Sequence, residues 1–138
     1  MSLTAVHDIP ATYQTFIAFD FGLKRTGVAV GNRMLRTATP QPTIQAEGEA
    51  RLLGAQARVH EWQPDALVVG VPFHPDGAPH ENTARARNFA HQLRGRIGKP
   101  VFEVDERYST AEALAGGASD PDAGAACVIL EQFLRSLP

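Results

Sequence analysis

The residues of this chain that could do chemistry are carboxylates at the predicted ends of strands and helices. Asp20 is the clearest case, because it closes the apolar run 16–19 and precedes Gly22 of a predicted turn. A carboxylate at the end of a buried strand loses its hydration unless a metal ion, a hydrogen-bond donor or a cation compensates it. This desolvation cost makes Asp20 the first candidate for a functional residue.

Further acids stand at corresponding places later in the sequence. Asp105 and Glu106 follow a short apolar strand, and Asp122 lies in the first turn of the last predicted helix. Ligands of an open α/β sheet gather at the carboxyl ends of its strands, so these acids can meet Asp20 at one edge. Converging carboxylates repel each other unless divalent cations neutralise them, and Mg²⁺ or Mn²⁺ prefers such oxygen ligands. The pattern favours phosphodiester hydrolysis, in which bound ions activate a water and stabilise the leaving oxygen.

Each of these acids also has a purely structural explanation. Asp20 could accept backbone N–H bonds within the turn at Gly22. Asp122, in a first helical turn, would interact favourably with the helix dipole without any metal. The pair at 105 and 106 could form a surface ion pair with Arg107. The residues by themselves leave these alternatives open.

Composition predicts one domain without a strongly basic surface. The 138 residues are 43% apolar and 20% charged, which suits a single core and leaves no room for a second lobe. The formal net charge of −2 excludes a whole-chain basic field, so a polyanionic partner would have to be held locally. We expect residues 1–13 to be a loose N-terminal tail and residues 14–138 to form the domain.

The sequence also leads us to expect a soluble, cytoplasmic protein that does not associate with a membrane. No stretch approaches the ~20 apolar residues that span a bilayer, and the first residues lack a charged start followed by an apolar core. Cys127 is the single cysteine, so it cannot form an internal disulfide. Because it falls in an apolar run, we expect a packed thiol in a reducing compartment.

The spacing of apolar residues predicts the element order βββαβαβαα. Strands are predicted at 15–21, 26–31, 35–44, 66–71 and 100–104. Helices are predicted at 47–62 and 81–97, from 109 to the glycines at 116 and 117, and from 120 to about 136. Pro40 and Pro42 push the third strand toward an edge position. Three antiparallel strands followed by strand-helix units predict a ribonuclease-H-like α/β fold, a mixed five-stranded sheet with helices on both faces.

Four motifs in this order resemble those of the YqgF (RuvX) family. They lie in the first hairpin, at the fourth strand, after the fifth strand and at the start of the last helix. They are Asp20-Phe21-Gly22-x-Lys24-Arg25-x-Gly27-Val28-Ala29-Val30, Val68-Val69-Gly70-Val71-Pro72 with Asp76-Gly77, Asp105-Glu106-Arg107-Tyr108-Ser109-Thr110, and Asp122-x-x-Ala125-Ala126-x-x-Ile129-Leu130. The resemblance covers residues 15–136, and the four motifs together are far more specific than any one of them.

This resemblance implies a ribonuclease-H-like nuclease. The family is described as Holliday-junction-resolvase-like and is implicated in maturing pre-16S rRNA, so the implied reaction is metal-dependent cleavage of structured nucleic acid, at the pre-16S rRNA 5′ end or at a Holliday junction. It also implies that Asp20, Glu106 and Asp122 are catalytic carboxylates that bind Mg²⁺ or Mn²⁺, with Asp105 as the alternative to its neighbour. Lys24 and Arg25 would approach the phosphate backbone.

Arginines of the second predicted helix are further candidates for binding nucleic acid. On a helix, Arg87 and Arg94 fall along one side of the apolar stripe, while Arg85 and Arg96 fall along the other. Such arginines often cover apolar edges with their stems. We keep Arg85 and Arg87 as secondary nucleic-acid-binding candidates.

Other functions also fit parts of the pattern. A non-catalytic scaffold that binds RNA or a ribosome-assembly partner is favoured by the acidic charge balance and by the short loop 116–121, and is opposed by the retained acids. A phosphotransferase would use a similar Asp-x-Gly hairpin to bind a nucleotide, but it needs a second lobe. A homodimer is a candidate assembly, since a four-way junction has two-fold character and paired cuts suit two active sites.

Overall fold

A mixed five-stranded sheet organises the part of the chain that the structure describes, residues 9–106 and 120–138 of this computed structural model. The strands are β1 (Thr15–Phe21), β2 (Thr26–Asn32), β3 (Thr37–Ile44), β4 (Ala66–Val71) and β5 (Val101–Asp105). Their order is β3-β2-β1-β4-β5. The first three strands pair antiparallel, and β1, β4 and β5 run parallel. The predicted ribonuclease-H-like sheet is confirmed.

Three helices are described, and they cover both faces of the sheet. They are α1 (Gly48–Trp62), α2 (Thr83–Ile97) and α3 (Pro121–Ser136). In β1, Ile17 and Phe19 pack with α1 and α2 in one core, whereas Phe16 and Ala18 pack with α3 in the other. This two-sided burial explains why β1 and β4 are nearly continuous apolar runs.

The edge position predicted for β3 is confirmed, and this strand begins at Thr37 rather than at 35. Asn32 causes the difference, because its side-chain oxygen accepts hydrogen bonds from the backbone N–H groups of Met34 and Leu35. Those bonds form a turn, and Arg36 leaves it with a left-handed backbone at φ 56°. Leu35 therefore lies outside the sheet.

The helix boundaries follow from local capping. The backbone N–H groups of Asp122 and Ala123 donate to the Asp120 side chain, and Pro121 stands in the first turn, as predicted. The second helix starts at Thr83, two residues later than predicted, because a turn closes there with the Thr83 N–H donating to His80. The predicted short helix from 109 lies outside the described residues.

Described residues of the predicted tail pack against the domain. Ile9 is only 5% exposed and belongs to the α3-side core. The carbonyl oxygen of Pro10 accepts a 2.9 Å hydrogen bond from the Arg33 guanidinium. Residues 9–13 are therefore packed against the domain, whereas the sequence predicted a loose tail as far as residue 13.

Cys127 is the packed thiol that its apolar neighbours predicted. It contacts the α3-side core, and burial, with a further contribution from Glu131, raises the pKa of its thiol to about 11. The thiol is therefore protonated and weakly nucleophilic at neutral pH. In the described portion, no helix combines the length and apolar character needed to cross a membrane.

Arg51 of α1 holds the β1–β2 hairpin in place. It is 4% exposed, and its guanidinium donates to the carbonyl oxygens of Gly22 (2.5 Å) and Leu23 (2.7 Å) and to the Thr26 hydroxyl (3.0 Å). The same guanidinium lies 4.1 Å from the centre of the Phe21 ring. These contacts fix the turn that follows Asp20, so the hairpin is attached to α1 as well as to the sheet.

Replacing Arg51 should destabilise the protein more than replacing an arginine whose hydrogen bond is exposed to solvent. We expect Arg51→Met to lower the free energy of unfolding by about 2–3 kcal/mol, because two partly buried carbonyl groups and the buried Thr26 hydroxyl lose their donor. Arg58→Met is the matched control, since Arg58 makes one exposed bond to Pro42 and its loss should cost less than about 0.5 kcal/mol. Urea unfolding measures both variants, and equal losses would contradict the role given to Arg51.

Candidate active site

Asp20 lies in a row with a glycine on each neighbouring strand. Its register partners are Gly27 of β2 and Gly70 of β4, and Gly70 in turn pairs with Val104 of β5. Paired residues project from the same face of a sheet, and Asp20 shares its face with Ala18. The Asp20 carboxylate therefore points to the α3 side at the carboxyl edge of β1.

The glycines of this row make room for the other acids. A Cβ atom on Gly27 would overlap the backbone carbonyl oxygen of Asp122. A Cβ atom on Gly70 would stand 3.0 Å from Glu106 Oε2 and would also collide with the Ile129 side chain. Because neither strand has a side chain here, the first turn of α3 and the Glu106 carboxyl group can both approach Asp20.

Asp20 and Glu106 interact directly. The pKa of Asp20 is raised to about 6, because burial raises it more than a side-chain hydrogen bond with Glu106 lowers it, and the charge of Asp122 also raises it. A hydrogen bond between two carboxyl groups requires a proton on one of them. The pair is therefore a site where negative charge is crowded, and a cation would relieve that crowding.

Asp122 lies beside this pair but its carboxylate is bound to Arg25. The Arg25 Nε to Asp122 Oδ2 distance is 2.7 Å, and the Asp122 side chain is 30% exposed. Asp122 is close enough for its charge to raise the pKa of Asp20. The hairpin thus supplies both the central acid and a cation for the acid of α3.

Strand register distinguishes Asp105 from Glu106. Asp105 pairs with Val71, one position beyond the row of Asp20, so it projects to the α2 side of the sheet. Glu106 follows the strand, and its backbone N–H donates to the carbonyl oxygen of Val71 at 3.2 Å. Of these two neighbouring acids, Glu106 is the one that reaches Asp20.

The arginines of α2 have structural partners. Arg87 and Arg94 both bind Glu103 of β5, at 3.1 and 2.9 Å. Glu103 is only 8% exposed, so these cations compensate a buried carboxylate. On the other side of the helix, Arg96 binds Glu49 at 2.5 Å, which confirms the division of these arginines between two sides of the apolar stripe.

Two of the predicted nucleic-acid-binding cations, one in the hairpin turn and one on α2, are exposed to solvent. Lys24 is exposed in the turn next to Arg25. Arg85 is also exposed, and it donates to the Asn82 side chain at 3.0 Å. Arg25 therefore lies next to the acids, Lys24 is its neighbour in the turn, and Arg85 lies on the α2 side.

The donor chemistry of the site fits a hard divalent cation. As arranged, no three acidic, imidazole or thiol side chains among the described residues form a group that could hold a metal ion. Asp20 and Glu106 bind each other, and Asp122 binds Arg25. All the candidate ligands are carboxylate oxygens, which Mg²⁺ and Mn²⁺ prefer. The chemistry of these donors, though not their present arrangement, therefore suits such an ion.

Sequence reasoning missed Arg51 and the function of Gly70. Gly70 interrupts the β-branched run of β4, and a glycine inside a buried strand is a signal for close approach of another group. Arg51 gave a weaker signal, an arginine beside Leu52 on the apolar side of α1. Its partners are backbone carbonyl groups, which no sequence pattern identifies.

Comparison with known proteins gives relatives that match nearly the whole chain. Residues 14–136 match the family described as RuvX, Holliday junction resolvase. A protein of Polaromonas sp. (strain JS666 / ATCC BAA-500), named "Putative pre-16S rRNA nuclease", is 70% identical over 138 residues, which is 100% of both chains. A protein of the same name from Paraburkholderia phymatum is 50% identical over 130 residues, covering 89% of this chain and 86% of that protein.

A solved structure shares the fold. It is T. thermophilus RuvC in complex with a Holliday junction substrate, with a TM-score of 0.56 and 16% sequence identity. The match covers 90% of this chain and 95% of that chain. At this identity, the likeness shows a common fold.

The raised pKa of Asp20 predicts that its charge destabilises the folded protein. An acid whose pKa rises from 3.8 to about 6 on folding costs stability above pH 6, and that cost disappears as the pH falls toward 4. We expect Asp20→Asn to unfold at higher urea concentration than the parent near pH 8, with a gain of about 2 kcal/mol, and to match it near pH 4. A variant that is less stable than the parent near pH 8 would contradict this explanation.

Proposed function

We propose that this chain, which belongs to the RuvX family that its four motifs predicted, is an endonuclease that hydrolyses phosphodiester bonds in structured nucleic acid. The observation that supports this most is the approach of Asp20, Glu106 and Asp122 at the carboxyl edge of the sheet. Relatives named for pre-16S rRNA cleavage match it over nearly their whole length, and the family is described as Holliday junction resolvase. The substrate is therefore a pre-16S rRNA end or a four-way junction.

We assign Asp20, Glu106 and Asp122 to the binding of Mg²⁺ or Mn²⁺. When bound, the ion would activate an attacking water and stabilise the leaving oxygen. Asp20 and Glu106 must lose the proton that they share before both can act as ligands, so the raised pKa of Asp20 favours cleavage at neutral or alkaline pH. The chain itself contributes the carboxylates, the glycines that let them meet and the hairpin that holds Asp20.

Lys24 and Arg25 would supply the local positive charge that a polyanion needs. The net charge of the chain is −2, so binding cannot depend on its overall field. Both cations stand on the hairpin turn that follows Asp20, and Arg25 contacts Asp122, so a backbone phosphate approaching Asp20 would meet this turn. A homodimer and a cytoplasmic location remain predictions that suit this function.

Loss of Asp20 should abolish cleavage and leave the fold intact. We expect Asp20→Asn to reduce cleavage of labelled pre-16S rRNA and of a four-way junction to background in the presence of Mg²⁺, because the central carboxylate is lost. Glu61→Gln is the control, since Glu61 is an exposed acid in the last turn of α1 and lies outside the four motifs. The substrate that the parent cuts faster, RNA or DNA junction, identifies the class of nucleic acid on which the protein acts.

Two results would contradict the proposed nuclease function or favour the non-catalytic scaffold. If Asp20→Asn cuts as fast as the parent, the site is not the one described. If the parent binds RNA but cuts neither substrate with Mg²⁺ or Mn²⁺, the chain is a non-catalytic scaffold.

Arg25 should compete with a metal ion for Asp122. The 2.7 Å ion pair neutralises Asp122 in the absence of metal, so an arriving cation must displace the guanidinium. The pair is partly exposed, and such pairs contribute at most ~1 kcal/mol. Removal of this ion pair should therefore change the affinity of the protein for the metal ion by a small but measurable factor.

We expect Arg25→Gln to bind Mn²⁺ about fivefold more tightly than the parent in the absence of nucleic acid, because the competing cation is gone. Isothermal titration calorimetry of the full chain measures this affinity without any cleavage. Lys24→Gln is the matched control, since it removes the same charge from an adjacent exposed position. Equal affinities for the two variants would show that Arg25 does not compete for Asp122.

A further inference from the structure

A second concave site adjoins the hairpin on the face of the sheet opposite the Asp20 side chain. This α1–α2 pocket has a volume of about 300 Å³ and lies between the end of β1, the start of α1 and the first half of α2. The volume is at the lower limit of small-ligand sites, ~300–1,000 Å³. The residues that line it include Phe21, Glu47, Arg51, Arg85, Asn88 and Gln92.

Aromatic and guanidinium groups form one wall of the α1–α2 pocket. The rings of Phe21 and Phe89 have centroids 5.5 Å apart, and the Arg51 guanidinium lies over Phe21 at 4.1 Å. Arg51 and Phe89 are only 4% and 2% exposed, so they support the wall from behind, and the partly buried Phe21 ring is the surface that a ligand can reach. Proteins stack unpaired bases on such aromatic rings. Arg51 is already fixed by its bonds to the hairpin, so this wall is rigid.

Amide side chains line the opposite part of the pocket. Asn88 and Gln92 are one helical turn apart on α2, and both are exposed. Neither side-chain amide is hydrogen-bonded to another residue in the described part of the chain. A carboxamide offers a donor and an acceptor together, which is the pattern that reads the edge of a nucleobase.

We propose that the α1–α2 pocket binds one unpaired base of the nucleic acid substrate. This inference rests on the proposed nuclease function, which makes nucleic acid the ligand, and adds a base-specific contact to it. Phe21 follows Asp20 in the chain, so the strand end that carries the central acid also forms part of the pocket. Glu47 can accept a hydrogen bond from an exocyclic amino group, and Arg85 adds positive charge for the adjoining phosphate.

The test compares matched RNA hairpins that differ at one position. Three fluorescein-labelled hairpins are used. The first contains a single-nucleotide bulge, the second has an abasic residue at the same bulge, and the third is fully paired. Fluorescence anisotropy in the presence of EDTA measures binding by the full chain without cleavage. The Asn88→Ala/Gln92→Ala variant tests the pocket, and His91→Ala is the control, because His91 is exposed on the same helix and does not line the pocket.

We expect the parent and His91→Ala to bind the bulged hairpin about tenfold more tightly than the abasic or fully paired one, and the double variant to lose this preference. Equal binding of the bulged and abasic hairpins by the parent would overturn the pocket assignment, as would an unchanged preference in the double variant. In that case, cleavage by the parent, assayed separately with Mg²⁺, would still support the proposed nuclease function. Absence of all nucleic acid binding and cleavage would overturn both proposals.

Discussion

The arrangement of the candidate site depends on one constraint, the burial of the Asp20 carboxylate. Asp20 stands at the end of a strand that is buried on both faces, and its charge is unfavourable there, as its raised pKa of about 6 indicates. Glycines on both neighbouring strands prevent side chains from filling the space above it, and this space receives Glu106 and the first turn of α3. The same burial that makes the charge costly brings together the groups that can share a cation.

The β1–β2 hairpin connects the Asp20 end of β1 to the helices. Arg51 fixes the carbonyl groups of the turn from the α1 side, and Arg25 reaches across to Asp122 on the α3 side. One short turn is thus bonded to helices on both faces of the sheet. Its position determines the location of Asp20 and the charge that Asp122 meets, and it also forms one border of the α1–α2 pocket. The central acid and the pocket therefore depend on a common local structure.

Most of the fold could be predicted from the sequence because its signals are local. Buried strands read as apolar runs, Pro40 and Pro42 indicated an edge, and the Asp120-Pro121 pair indicated a helix start. The candidate acids were singled out because strand ends and a helix start are visible in the sequence. What could not be predicted depends on partners distant in the chain. Glu106 and Asp105 differ only through strand register, Arg87 serves Glu103 on another element, and Arg51 binds backbone carbonyl groups. None of these pairings leaves a local pattern.

The central claim is that Asp20, Glu106 and Asp122 form one cation site. The most direct measurement is the anomalous scattering of Mn²⁺ in crystals of the full chain grown with saturating Mn²⁺. We predict a Mn²⁺ peak in contact with these carboxylates, with the guanidinium of Arg25 no longer bonded to Asp122. Ordered side chains at all three positions with no Mn²⁺ between them, or Mn²⁺ bound only elsewhere on the chain, would contradict the claim.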